Sequence, residues 1–162
     1  LRVRRDDTYS LRIIGGFMQE LPLFSQIVFY VLIALIGLYV VLIEVWQIKV
    51  LRGETMSNPD GSVDDWHEQK SHYGIALADV FLACPAGFIS IVLTFFYPRW
   101  GFYLLALVSF WLVWANTMTT ATSLRFEKPT LSLNWWFTFP GGGIVGLAFI
   151  IWSIINFNSI YF

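Results

Sequence analysis

Long apolar stretches alternate with short polar ones along this chain. Residues 21–43, 80–98 and 100–124 contain no Asp, Glu, Lys or Arg, and no charge follows Lys128. Each stretch reaches the roughly 20 apolar residues that a helix needs to cross about 30 Å of hydrocarbon. The pattern predicts an all-α integral membrane protein: a four-transmembrane-helix bundle, up-down-up-down, preceded by a short basic interfacial segment. The expected spans are about 23–46, 73–97, 101–123 and 135–157. The first stretch is too long for a signal-peptide core and no small-x-small cleavage site follows it, so it reads as a retained span.

The polar segments divide the chain further. Residues 1–22 form a basic N-terminal segment with Arg2, Arg4, Arg5 and Arg12. Its Leu11, Ile14, Met18 and Leu21 share one helical face, as in a helix lying on a membrane surface; the competing reading is an irregular docked tail. Residues 23–158 form one four-helix domain, and 159–162 a C-terminal tail. The connection 47–71 carries the turn signals Asn58-Pro59 and Asp60-Gly61. Pro98-Arg99-Trp100 reads as a three-residue turn between the second and third spans. Lys and Arg divide evenly between the two sides: Arg2, Arg4, Arg5, Arg12 and Arg99 against Lys49, Arg52, Lys70, Arg125 and Lys128. The first span usually dominates orientation, and its arginine-rich flank places both termini on the cytoplasmic side.

Composition supports this class. Hydrophobic residues make up 57% of the 162 positions and charged residues 13%, about half the charged share of an ordinary soluble domain. The eight Trp, seven Tyr and fifteen Phe suit membrane interfaces, where an apolar ring with a polar edge finds both its partners. A net charge of −1 argues against nucleic acid as a partner. Cys84 is the only cysteine, which excludes an internal disulfide and makes a buried thiol the simplest reading.

Candidate chemistry centres on Asp79. With a span beginning at Tyr73 it lies about 10 Å deep, where a bare carboxylate needs a partner, a proton, water or an ion; with a span beginning at Val80 it is merely interfacial. Up-down topology brings Asp79, His72, Glu44, Asn116 and Thr119 to one membrane face, as ligand or polar-cluster candidates. Asp65, Glu68, His72 and Asp79 fall on one face of a helix and form a candidate metal set, because carboxylates with imidazole suit transition metals. His67 and His72 are five apart, not the four of a zincin motif. Ala83 and Gly87 in the second span, and Gly142 and Gly146 in the fourth, are the expected helix-packing positions, since small residues let membrane helices approach closely.

No catalytic, nucleotide or metal motif is complete. The leading expectation is therefore a non-catalytic integral membrane subunit packing within a larger membrane complex. It is more an assembly component than an enzyme, and it is in contact with lipids and other membrane subunits. The alternative is a small transporter or ligand-binding protein built on the outer-leaflet polar cluster around Asp79. A third is a metal- or cofactor-dependent membrane enzyme. Bound lipids are expected, and a metal is the one cofactor the residues suggest.

Overall fold

The computed structural model describes residues 21–55, 63, 65–127 and 129–161. The basic segment 1–20 with its expected interfacial helix lies outside the described residues, as do the turn signals of 58–61 and Lys128. Among the described residues, four helices are long and apolar enough to cross a membrane: Leu23–Leu51, Gln69–Phe96, Pro98–Phe126 and Leu133–Ile155.

The first span is one α-helix, Leu23–Leu51. Pro22 precedes it, where the missing N–H and fixed φ cost nothing. The helix runs five residues past Trp46, the expected end. Gln47 and Lys49 are polar but good helix formers, and Val50 is buried. The true stop is Gly53, whose φ of 87° is a conformation only glycine adopts readily.

The second span joins two α-helical pieces, Trp66–Ala78 and Cys84–Phe96, through a π-helical turn at Asp79–Ala83. Pro85 follows immediately. It has no N–H to donate, so a wider turn just before it loses nothing that an α-turn would have kept.

Residues 98–100 are not a turn. Tyr97 alone breaks the chain, and Pro98 opens the next helix, Pro98–Thr122. The corner closes this tightly because Gly101 lies against the backbone of Leu93 and Thr94, where a Cβ would collide with the Thr94 nitrogen. The third span ends in another π turn, Ser123–Glu127.

The fourth span begins at Ser132, whose hydroxyl accepts the Trp135 N–H at 3.2 Å. It passes through a π turn, Phe137–Gly141, that contains Pro140, and continues as Gly142–Ile155. A last short helix, Phe157–Tyr161, follows the break at Asn156.

The first span packs on the second and fourth, and the third packs on the same two. Between the first and second spans, Gln47 meets Asp79 and Val40 meets Gly87. Between the third and fourth, Asn116 meets Gly142, Ser109 meets Gly146, and Phe102 meets Phe149. Between the first and fourth, Ser25 meets Trp152, and Tyr39 meets Phe137.

One end of the interior is filled by Phe29, Phe102, Phe149 and Trp152, with ring centroids 5.1–6.4 Å apart. The Trp152 indole donates to the Ser25 hydroxyl at 3.0 Å, and that hydroxyl donates to Asn156 at 3.0 Å. Outside, large apolar side chains such as Phe81, Phe110 and Leu133 stand exposed, the surface a helix bundle presents to lipid.

Candidate functional site

The first span carries Val40, Glu44 and Gln47 at spacings of four and three, on one helical face. That face is turned toward the second span, because Val40 seats on Gly87: a Cβ there would come within 2.8 Å of the valine Cγ2. This contact sets the rotation of the first helix and delivers Glu44 and Gln47 to the same interface.

Opposite them stands Asp79, only 8% exposed. It lies ten residues, or about 15 Å, along the apolar helix that begins at Gln69. Its side chain is turned into the bundle rather than out to the surface. The Gln47 side-chain amide donates to Asp79 Oδ2 at 2.8 Å, and the Trp111 side chain, from the third span, is within hydrogen-bonding reach of the same carboxylate.

Cys84 is fully buried, and its thiol reaches Glu44. The π turn is what unites these groups on the second span. The Cys84 N–H bonds to the Asp79 carbonyl, and this wider turn brings the two residues toward one face, whereas an α-helix would set residues five apart about 140° from each other.

The result is a cluster of Glu44, Gln47, Asp79, Cys84 and Trp111 drawn from three spans. Its most informative atom is Glu44 Oε2, which is sealed from solvent and has no hydrogen-bond partner. A buried carboxylate oxygen without a donor is costly, and sites of that kind call for an explanation in function, an ion or water. Chemically the cluster can take up a proton or small cation, or receive a polar group of a ligand. Gln47, Trp111 and Cys84 supply the donors that orient it.

The other sequence candidates divide. Asn116 is buried but faces the fourth span: its amide donates to Leu112 O at 2.9 Å, and a Cβ at Gly142 would meet that amide at 2.7 Å. Thr119 is exposed and bonds its own helix through Ala115 O at 3.1 Å. His72 is half-buried, seven residues or about 10 Å of helix before Asp79. The expected five-residue cluster therefore separates, and only Glu44 and Asp79 remain as its nucleus.

The metal set is strung along an axis. Asp65 and Asp79 are fourteen residues apart, about 21 Å at helical rise, too far to share one ion. The Glu68 side chain lies outside the described residues. Among the described residues, no group of three His, Cys, Asp or Glu is placed to hold a metal.

At the packing positions, Ala83 closes the π turn half-buried, and Gly87 meets Val40. Gly146 meets the Ser109 backbone, where a Cβ would sit 2.5 Å from the carbonyl oxygen. Sequence reading missed Gln47, Cys84 and Trp111 as site members. For Gln47 the signal was available in its i+3 spacing from Glu44, hidden by ending the helix at Trp46.

These features define a helical bundle of four candidate membrane spans with an acidic, hydrogen-bonded interior site. No protein-family model, curated protein or solved structure matches the chain.

Proposed function

We propose that this chain is a multi-pass membrane protein of up-down-up-down topology that binds a small cation, a proton included, between its first three spans. The single observation that carries this reading is the convergence of Glu44 and Asp79 from different helices, with Glu44 Oε2 buried and unpartnered. The topology is supported by the opposite running order of the register pairs, such as Gln47–Asp79 with Val40–Gly87. Both termini then lie on one side, which the arginine-rich flank of the first span assigns to the cytoplasm.

The test is cation-dependent stability of the purified protein in lipid nanodiscs. A ligand that binds only the folded state raises the unfolding midpoint by mass action. Titration with protons, Na+, K+, Ca2+ and Zn2+ should find one that stabilises the protein, and Glu44→Gln with Asp79→Asn should abolish that response. An identical response in the double variant for every cation sinks the reading.

A second reading is a non-catalytic subunit of a larger membrane assembly. It is favoured by the outward stripe Tyr103, Leu107, Phe110 and Trp114 on the third span, all exposed and large enough to seat another helix. Native mass determination after mild extraction separates the two: co-migrating chains support the subunit, and a bare 18.7 kDa chain or its multiples removes it.

A further inference from the structure

The π turn at Asp79–Ala83 sits where the second span contributes its carboxylate. Single π turns inside α-helices recur at functional sites, and each amounts to one extra residue in the turn. Three features make this one convertible. The Cys84 N–H bonds to Asp79 O in the present register, and an α-register would hand the same N–H to Val80 O. Pro85 donates in neither register, so it removes the bond that would otherwise favour one of them. Phe81 and Leu82, inside the turn, are 66% and 71% exposed, so no packed side chain on that side pins it.

What distinguishes the registers is Asp79. Narrowing the turn with every residue kept rotates the helix before it by about 100° relative to the helix after it. The carboxylate would then leave Gln47, Trp111 and Glu44. We propose that Asp79–Ala83 is a register joint, held wide by the Gln47–Asp79 hydrogen bond, and that its narrowing to an α-turn withdraws Asp79 from the acidic site. The upper helix Trp66–Ala78 is the moving part, and Cys84–Phe96, which packs on the third span, is the fixed one. The inference concerns the geometry of the site and stands whether or not a cation occupies it.

The experiment compares amide hydrogen exchange of the full chain in nanodiscs with that of two variants. In Gln47→Leu, exchange at Cys84 should quicken roughly tenfold, while amides at Ile91–Leu93 in the same span keep their rates. Unchanged exchange at Cys84, or equal acceleration along the whole span, overturns the proposal.

The second variant deletes Leu82 and so removes the extra residue, leaving an α-helix with Asp79 still on the site face and no second register to reach. Adding Gln47→Leu to the deletion variant should leave exchange at Cys84 unchanged. A quickening that survives the deletion overturns the proposal too. Because the deletion variant can fail to fold, the Gln47→Leu arm decides by itself.

Discussion

The two ends of the bundle interior are built on opposite principles. At one end Phe29, Phe102, Phe149 and Trp152 interlock, and the polar atoms among them, the Trp152 indole and the Ser25 hydroxyl, are partnered. At the other, Glu44, Gln47, Asp79, Cys84 and Trp111 meet around a carboxylate oxygen with no donor, beside a π turn. In lipid, association of helices draws little on the hydrophobic effect and much on close packing and satisfied polar groups. The aromatic end meets both needs and serves as the anchor. The acidic end gives up one of them, leaving Glu44 Oε2 unpaired.

Four substitutions press on that contrast, from largest expected effect to smallest. Phe102→Ala empties the centre of the aromatic end and should lower unfolding free energy by about 3–5 kcal/mol, measured by denaturant unfolding in mixed micelles. A loss below about 1 kcal/mol would mean that the stack is not the anchor. Gly146→Leu drives a side chain into the Ser109 backbone and should cost about 1–3 kcal/mol or prevent folding, read from the same transition.

Tyr39→Phe removes the hydroxyl that donates to Phe137 O at 3.0 Å while keeping the ring stacked on Phe137. It should cost about 1 kcal/mol and loosen the π turn of the fourth span, visible as faster amide exchange at Gly141 and Gly142. Glu44→Gln should cost nothing or raise the thermal midpoint, since it removes a carboxylate whose Oε2 has no donor. A clear loss of stability there would show that Glu44 serves the fold rather than a ligand.

Much of the architecture was legible beforehand, and particular residues show why. The spans follow from hydropathy, a local property: an uncharged run such as 21–43 declares itself. Asp79 was conspicuous for the same reason, as a lone charge at the edge of an apolar run. Gly142 and Gly146 stood out by spacing. Helix ends were less legible. The first helix passes Trp46 because nothing before Gly53 forbids it, and Pro98 begins a helix rather than making a turn because proline suits a first helical position. The π turns carried no local mark beyond the nearby Pro85 and Pro140.

Apolar length and the placement of charge, glycine and proline thus determined by themselves the class of protein, the four spans and the identity of its exceptional carboxylate. Which residues keep that carboxylate company was decided only in the tertiary structure. A helix buries whichever side its neighbours let approach, and that rotation depends on contacts such as Val40 on Gly87 and Asn116 on Gly142, made between residues far apart in sequence. Rotation by a single position would exchange Gln47 for a lipid-facing neighbour. For that reason Gln47, Cys84 and Trp111 joined Asp79 and Glu44, while Asn116, Thr119 and His72 went elsewhere.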